Sequence, residues 1–255
     1  MNYVKPKKHL GQHFLNDDTI SKSIVNLINN NTEFVIEVGP GMGALTKHLI
    51  KKKWNLNIVE IDEESINYLK IRYPEIQQNI IKDDFLKLDL TDYSNKISLI
   101  GNFPYNISNQ ILYKIYENNN QIIEAIGMFQ KEVAERIIAT SGKKKGILSV
   151  LVQTFYDVEY CFTVNNNSFF PKPKVQSAVI KLTRNERDVL LCDKNLFVKI
   201  IKSSFNQRRK TLRNALKSFS LENELKKLNF LQKRAEELSV EDFIKLTKLC
   251  RKKMK

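Results

Sequence analysis

The sequence predicts an α/β fold with a mostly parallel sheet, followed by a small all-helical domain. Over residues 34–139, short apolar runs alternate with segments of helical periodicity, the pattern of strands joined by crossover helices. After residue 184 helical periodicity continues and strand-like runs disappear. Hydrophobic residues make up 42% of the 255-residue chain, which is enough to form a core. We therefore expect domains at 1–185 and 186–255.

The individual elements follow from local patterns. A helix is expected at 17–30, where Asp17 or Asp18 can cap the first turn. Strands are predicted at 34–39, 55–62, 79–84 and 124–129, with a strand and loop at 97–105, and helices at 43–53, 63–72, 109–117 and 131–139. Residues 147–164 and 177–184 are strand-like and predict an antiparallel edge. The second domain has helical patterns at 196–205, 208–219, 222–230 and 240–250.

Charge and cysteine usage narrow the class of protein. The net charge is +14, and residues 186–255 carry 19 basic and 9 acidic side chains, which favours nucleic acid or an anionic membrane surface as partner. Cys161, Cys192 and Cys250 are scattered, which indicates a reducing compartment and argues against disulfides or a zinc site. Without an apolar run of membrane-spanning length or a secretory signal, we expect a cytoplasmic protein with no membrane partner. No sustained apolar surface motif calls for a second copy, so a monomer is expected.

A glycine-rich turn joins the strand at 34–39 to the next helix. Gly39, Gly41 and Gly43 allow the backbone to approach a ligand closely. Glu60 ends the next strand, 21 residues after Gly39, where it can accept hydrogen bonds from ribose hydroxyls, and Asp84 ends the third, where it can bond an adenine amino group. A tight turn with exposed acids explains each position alone, but all three together favour a cofactor. The early third glycine favours S-adenosylmethionine, with NAD as the alternative.

The chain continues from the strand at 97–102 into Asn102-Phe103-Pro104-Tyr105. The Asn102 amide oxygen and the Pro104 carbonyl can each accept one N–H bond from an adenine amine and direct its lone pair at a sulfonium methyl group. Tyr105 offers a ring face for the base. The alternative is a proline turn with Tyr105 packed in the core, and the glycine loop upstream favours the chemical interpretation.

At this point the sequence resembles a known family, the rRNA adenine N6-dimethyltransferases of the small-subunit (KsgA) type. The resemblance covers residues 7–216. Seven segments carry it, in order: KHLGQHFLND (8–17), EVGPGMGALT (37–46), VEID (59–62), KDDFL (82–86), GNFPYNIS (101–108), FFPKPKVQSAV (169–179) and FNQRRKTLRNAL (205–216).

The resemblance implies both a fold and a reaction. The fold is a Rossmann-like S-adenosylmethionine-dependent methyltransferase fold with a mostly parallel seven-stranded sheet. The reaction is dimethylation of the N6 amines of two adjacent adenines in a hairpin loop near the 3′ end of small-subunit (16S) rRNA, within an immature 30S-type particle, as part of ribosome biogenesis. No metal is expected, because methyl transfer from a sulfonium needs none. The alternatives are a large-subunit rRNA dimethylase of the antibiotic-resistance type and a non-catalytic ribosome-assembly factor.

The resemblance also assigns site residues. The implied cofactor-binding residues are His13, Leu15, Gly39, Gly41, Glu60, Asp84 and Asn102. The implied catalytic residues are Asn102, Pro104, Tyr105 and Phe169, with Phe169 on the face of the target base opposite Tyr105. The implied RNA-binding residues are Arg208, Arg209, Lys210 and Arg213.

The basic residues at 208–213 fall on one predicted helix that packs through Phe205, Leu212 and Leu216. Arginine side chains there can contact rRNA phosphates or dock one domain on the other, and the sequence does not separate these roles. The lysine runs at 51–53 and 143–145 are predicted to be solvated helix ends or loops.

Overall fold

The computed structural model describes residues 4–29, 31–93, 96–187, 193–221 and 229–252. The chain divides into two compact units. One consists of Met1–Ala134 and Asp157–Arg184, and the other of Glu135–Tyr156 and Asn185–Lys255.

The strands are β1 Phe14–Leu15, β2 Phe34–Val38, β3 Asn55–Glu60, β4 Ile80–Lys82, β5 Ile97–Asn102, β6 Ile122–Gln130, β7 Tyr156–Val164, β8 Phe169–Phe170, β9 Ser177–Arg184, β10 Phe219–Leu221 and β11 Cys250–Lys252. Seven of them form one sheet in the order β4-β3-β2-β5-β6-β9-β7, and β1 pairs with β8 in a separate two-stranded ribbon. Strands β2 to β6 pair with one another in parallel, and β9 pairs with β6 in the antiparallel direction. The predicted mostly parallel seven-stranded sheet is confirmed.

Strand β2 fixes the place where a ligand can bind. All five of its residues are buried, as expected for a parallel strand covered on both faces. The chain adds β3 and β4 on one side of β2 and then returns to add β5 on the other. This reversal creates a crevice at the carboxyl ends of β2 and β5, the position at which open α/β sheets bind ligands.

The helices are α1 Asp18–Val25, α2 Thr46–Leu49, α3 Glu63–Arg72, α4 Ser108–Glu117, α5 Lys131–Ile138, α6 Ile147–Phe155, α7 Lys194–Asn206, α8 Leu212–Ala215 and α9 Val240–Lys248. The Asp17 side chain caps α1 by accepting a hydrogen bond from the Ile20 amide at 3.1 Å. Short 3-10 turns lie at Lys8–Leu10, Pro74–Asn79, Asn166–Ser168, Asn229–Gln232 and Ala235–Glu237.

Residues 147–155 form helix α6, so the prediction of a strand there was wrong. The run ILSVLVQTF is apolar almost throughout, and such a run does not distinguish a buried strand from a buried helix. Helix α6 packs against α7 and α9. For this reason residues 135–156 belong to the second compact unit, whereas the sequence-based division places them with 1–185.

The second unit also differs from the all-helical prediction in its last residues. Strand β10 pairs antiparallel with β11. The helix predicted at 208–219 is shortened to α8, preceded by a turn at 207–210. Most of the helix predicted at 222–230 lies outside the described residues, and residues 229–232 form a 3-10 turn. Within the described part of the chain, no helix is long and apolar enough to cross a membrane.

Glu37 carries a carboxyl group inside the buried strand β2. Its side chain is 1% exposed and accepts a hydrogen bond from the Thr46 hydroxyl at 2.6 Å. Burial raises the pKa of Glu37 from 4.5 to about 8, against the opposing effect of the Thr46 bond, and the nearby Glu60 raises it further. The folded protein therefore holds a proton on Glu37 at a pH where the unfolded chain has lost it.

This burial predicts a pH dependence of stability. Between pH 4.5 and about 8 the folded state binds more protons at Glu37 than the unfolded state, so the free energy of unfolding should fall as pH rises through this window. Glu37→Gln removes the titrating group and keeps a hydrogen-bond acceptor for Thr46. Denaturant unfolding of both proteins at several pH values should show a smaller decline for the variant. Equal declines would contradict the assignment.

Candidate active site

A cavity of about 560 Å³ opens at the carboxyl ends of β2, β3 and β5, inside the first unit. Its walls come from five segments of the chain, at 10–16, 37–45, 59–61, 83–86 and 102–107. Three of these follow the strand ends at which the sequence placed the glycine loop, Glu60 and Asn102. The structure thus brings the predicted cofactor residues to the same cavity as the segment Asn102–Tyr105, which we call the transfer loop.

The glycine loop has backbone conformations that favour glycine. Gly39 and Gly41 have φ angles of 66° and 56°, in the left-handed region. A Cβ atom on Gly39 would meet no heavy atom within 4 Å, so open space lies beside the loop. A Cβ on Gly41 would lie 2.8 Å from the Phe14 ring, because that ring lies directly over the loop. Gly39 therefore borders ligand space, and Gly41 allows the N-terminal segment to approach.

Glu60 is held in position by backbone amides. Its Oε1 atom accepts hydrogen bonds from the Ile61 and Asp62 amides, both at 2.9 Å, and Oε2 accepts one from the Gly41 amide at 3.1 Å. Burial nevertheless raises the pKa of Glu60 above its ordinary value. A carboxylate has about four lone-pair positions, so these three bonds fix the side chain and leave it able to accept a hydroxyl from a ligand.

An acidic and an apolar side chain line another part of the cavity. The Asp84 carboxylate lines it and is oriented by accepting a hydrogen bond from the Leu86 amide at 3.0 Å. Ile61 also lines it, with 52% of its surface exposed despite an apolar side chain. Ile61 was not among the site residues predicted from the sequence. An apolar residue directly after the strand-ending acid was the available signal.

The N-terminal segment covers one side of the cavity. His13 and Leu15 both line it, with Leu15 only 5% exposed. The His13 ring stacks on the Tyr105 ring with 5.4 Å between centroids, and its Nδ1 atom lies 2.6 Å from the Pro171 carbonyl oxygen. His13 therefore joins the N-terminal segment to the transfer loop and to the chain after β8.

Asn102 ends β5 and is oriented by the N-terminal segment. Its Nδ2 atom donates to the His13 carbonyl oxygen at 2.8 Å. This bond turns the amide oxygen of Asn102 away from His13 and leaves it available as an acceptor. The orientation agrees with the predicted role, in which that oxygen receives an N–H from the target amine.

The backbone carbonyl that can accept a hydrogen bond next to Asn102 is not the predicted one. The Pro104 oxygen already accepts hydrogen bonds from the Ile107 amide at 3.2 Å and from the Ser108 hydroxyl at 3.1 Å, so both of its lone pairs are engaged in the turn that begins α4. Among the described residues no group donates to the Phe103 carbonyl. Its ring is fixed, because Gly101 and Gly127 leave it room and it packs against Phe129 at 5.1 Å. The backbone carbonyl available to accept an N–H from a ligand is therefore that of Phe103, whereas the prediction was that of Pro104.

Tyr105 is half-buried beside the same loop. One face of its ring stacks on His13, and its hydroxyl forms a hydrogen bond with the Ser177 hydroxyl. Burial raises the pKa of the Tyr105 phenol, opposed by the Ser177 bond. The phenol is therefore neutral over the physiological range, and its ring is held in a fixed orientation.

The two adjacent phenylalanines of β8 point to opposite faces of the ribbon. Phe169 is 4% exposed and belongs to the core cluster that includes Leu15 and Val179. Phe170 is 46% exposed and is paired in register with Phe14, whereas Phe169 is paired with Leu15, and neither phenylalanine of β8 is among the residues that line the cavity. The Phe170 ring offers an exposed face and the Phe169 ring does not, and the stacking role of Phe169 stays a prediction.

The basic residues of the second unit have two different environments. The Arg208 guanidinium is bound within the unit: Nε donates to the Glu236 carboxylate at 2.9 Å, and Nη2 donates to the carbonyls of Lys143 and Lys145. The remaining three residues are exposed: Arg209, Lys210 and Arg213. Arg208, Arg209 and Lys210 lie in the turn before α8 and not on one helix with Arg213. Arg208 is thus a structural residue of the second unit.

Lys145 contradicts the prediction of a solvated lysine run at 143–145. Its side chain is fully buried, and Nζ donates to the Thr140 carbonyl at 2.7 Å and to the Leu238 carbonyl. Burial lowers its pKa, although Asp242 and Glu241 act in the opposite direction. Lys143 and Lys144 are exposed, as are the three lysines at 51–53.

The described residues contain no group of three or more His, Cys, Asp or Glu side chains placed to hold a metal ion. Cys161 and Cys250 form no disulfide within the described part of the chain, and Cys192 lies outside the described residues.

Comparison with solved structures agrees with this architecture. A dimethyladenosine transferase from Plasmodium falciparum superimposes with a TM-score of 0.77 at 26% identity, covering 92% of this chain and 96% of that one. The 23S rRNA methyltransferase ErmE superimposes with a TM-score of 0.71 at 21% identity, over 92% and 99% of the two chains, and so shares the fold.

Sequence comparison is more specific. The ribosomal RNA small subunit methyltransferase A of Cytophaga hutchinsonii is 52% identical over 254 residues, covering 98% of each chain. The sequence profile of the ribosomal RNA adenine dimethylases matches residues 4–252. The chain therefore belongs to the ribosomal RNA adenine dimethylase family.

Proposed function

We propose that this protein transfers methyl groups from S-adenosylmethionine to the N6 amines of two adjacent adenines in small-subunit rRNA. One observation carries the proposal: the transfer loop at 102–105 opens on the same cavity as the glycine loop and Glu60. The substrate class is supported by relatives named for the small subunit at about half sequence identity. The large-subunit dimethylase is supported only by a shared fold.

The cavity residues are suited to S-adenosylmethionine, which supplies an electrophilic methyl group on a sulfonium. Gly39 borders space for the methionine portion, and Glu60 has acceptor capacity for the ribose. Asp84 can accept a hydrogen bond from the adenine amine, and the exposed Ile61 can cover one face of the ring. Backbone amides already hold the Glu60 and Asp84 carboxylates in place.

The transfer loop would position the target amine with two acceptors. The Asn102 amide oxygen and the Phe103 carbonyl each accept one N–H, which draws the nitrogen lone pair out of conjugation with the ring. Both acceptors are fixed before substrate binds, one through His13 and the other through the packed Phe103 ring. The proton lost after transfer can pass to solvent. The catalytic contribution is therefore orientation and hydrogen bonding.

The target base would lie beside Tyr105, with Phe170 as the second aromatic at the rim. Adenine in a single-stranded loop can be splayed out and stacked on aromatic rings. The exposed Arg209, Lys210 and Arg213 of the second unit would contact phosphates and add affinity without reading sequence. We further propose that the substrate is small-subunit rRNA within an immature particle. The enzyme would act as a monomer in the cytoplasm.

The proposed function is tested by incubating the protein with radiolabelled S-adenosylmethionine and immature small subunits. Nucleoside analysis should recover N6,N6-dimethyladenosine from small-subunit rRNA, and naked large-subunit rRNA serves as the competing substrate. Label found only in large-subunit rRNA would support the resistance-type dimethylase. A protein that bound the particles without transferring label would be an assembly factor.

Asn102→Ala should lower kcat by about 100-fold or more, because it removes an acceptor used in the transition state. The matched control is Asn109→Ala, an exposed asparagine on the next helix, which should keep wild-type turnover. Single-turnover assays measure the effect on methyl transfer, and calorimetry measures any effect on cofactor binding separately. Unchanged turnover in Asn102→Ala would refute its catalytic role.

The two phenylalanines of β8 should respond differently to alanine. Phe170→Ala should raise KM for the RNA by about ten-fold with an unchanged Tm, because base stacking contributes about 1–3 kcal/mol. Phe169→Ala should lower the free energy of unfolding by about 3–5 kcal/mol, because it empties part of the core. Thermal unfolding and steady-state kinetics on both variants make the comparison. A loss of RNA affinity in Phe169→Ala at unchanged Tm would restore Phe169 as the stacking residue.

The exposed basic residues should govern the salt dependence of RNA binding. Replacing Arg209 or Lys210 by alanine should remove one phosphate contact. The plot of log K for RNA binding against log salt concentration should then become shallower by about 1 in slope. Arg208→Ala should instead lower stability, because its guanidinium holds the 143–145 loop. Lys51→Ala with Lys53→Ala provides a charge-matched control on the first unit. An equal change of slope in that control would show that the effect is one of net charge.

A further inference from the structure

The N-terminal segment at 7–15 is tied to the cofactor cavity by a buried carboxylate that the proposed reaction does not use. The Asp62 side chain is 1% exposed and lies 50 residues along the chain from Gln12. Its Oδ1 atom accepts a hydrogen bond from the Lys7 ammonium, and its Oδ2 atom accepts one from the Gln12 amide at 3.0 Å. The Lys7 backbone amide donates in turn to the Gln12 side-chain oxygen at 2.8 Å. The three residues thus form a closed ring of hydrogen bonds.

This ring is directly connected to Glu60, the residue proposed to hold the ribose. The Asp62 backbone amide donates to Glu60 Oε1 at 2.9 Å. The Asp62 carboxylate also accepts hydrogen bonds from the Ser65 hydroxyl at 3.0 Å and from the Glu64 amide at 3.3 Å, which caps helix α3. Asp62 is therefore rigid and serves as an anchor for whatever binds it from the N-terminal side.

The opposite end of the segment is tied to the transfer loop. The His13 carbonyl accepts from Asn102 at 2.8 Å, and the His9 carbonyl accepts from Asn106 at 3.2 Å. Residues 7–15 therefore span the cavity from the ribose side to the methyl-transfer side. Leu10 to Asn16 form one wall of that cavity, so the position of the segment determines how closely the cavity encloses its ligand.

The charges at the anchor favour the closed arrangement. Burial alone would raise the pKa of Asp62, but hydrogen bonds from Lys7, Gln12 and Ser65 outweigh it and hold the pKa below its ordinary value. The Lys7 ammonium is paired with Glu64 as well, at 3.1 Å. A buried carboxylate that lost its cation would keep the desolvation penalty without the compensating attraction, so the pairing strongly favours a docked Lys7.

We propose that Lys7 and Gln12 form a latch on Asp62 that holds the segment 7–15 over the cavity and thereby sets the affinity for S-adenosylmethionine. Lys7 is a positioning residue, because it lies outside the cavity wall and acts through Asp62, whereas Gln12 belongs both to the ring of hydrogen bonds and to the wall. This inference rests on the proposed function for the identity of the ligand. Its distinctive consequence is an effect on cofactor binding that is separate from the methyl-transfer step.

The test uses the full chain with Lys7→Met and Gln12→Ala, and Lys7→Arg as the conservative variant. The dissociation constant of S-adenosylmethionine, measured by calorimetry, should rise about ten-fold in Lys7→Met, as expected for loss of a charge-assisted bond. Gln12→Ala should raise it by a smaller factor, and Lys7→Arg should bind as the wild type does. At saturating cofactor, the kcat of Lys7→Met should stay within about two-fold of wild type, because Asn102 and Phe103 are unchanged.

Lys8→Met is the matched control, since Lys8 is an exposed neighbour in the same 3-10 turn. It should leave the dissociation constant unchanged, whereas an equal rise would show general attraction by the basic N-terminus and overturn the latch. Amide hydrogen exchange without ligand should be faster at residues 9–15 in Lys7→Met and unaltered elsewhere. Wild-type affinity and exchange in both Lys7→Met and Gln12→Ala would also overturn it. If the wild-type protein bound no S-adenosylmethionine, the proposed function would fail instead.

Discussion

The hydrogen bond from the Asn102 amide to the His13 carbonyl joins the two parts of the site. It uses a side-chain N–H to fix where the amide oxygen points, and it uses a backbone carbonyl to fix where the N-terminal segment lies. The same segment places the Phe14 ring over Gly41 and stacks His13 on Tyr105. The segment at 7–15 therefore contacts both the glycine loop and the loop that begins at Asn102. Catalytic geometry in this protein depends on a segment that lies outside the seven-stranded sheet.

Much of the fold could be predicted because parallel strands leave a simple record in sequence. β2 and β5 are short, mainly apolar runs that lead into a glycine or an asparagine, and their carboxyl ends must meet at one edge of the sheet. This is why Gly39, Glu60 and Asn102 could be placed at one cavity before any coordinates were known. The run at 147–155 was assigned to the wrong element because an apolar segment without polar interruptions has no usable period.

The errors in the site concern atoms rather than segments. Phe169 and Phe170 are neighbours in a strand, and only the packing of β8 decides which ring is buried and which is exposed. The Pro104 carbonyl is engaged by the first turn of α4, a bond that depends on where that helix begins. The buried Lys145 ammonium donates to the nearby Thr140 carbonyl and to the Leu238 carbonyl, which lies 93 residues along the chain. Each outcome depends on long-range packing, which residue type and spacing do not encode.

Two acceptors in the transfer loop also bear on dimethylation. An unmodified adenine amine has two N–H groups and can satisfy both Asn102 and Phe103, whereas a monomethylated amine has one. In the second transfer one acceptor must therefore face the first methyl group without a donor. The Phe103 carbonyl cannot move away, since its ring is enclosed by Gly101, Gly127 and Phe129, while the Asn102 amide can rotate only by breaking its bond to His13. The bond from Asn102 to the His13 carbonyl is therefore the contact that the site would have to give up to relieve that unpaired acceptor.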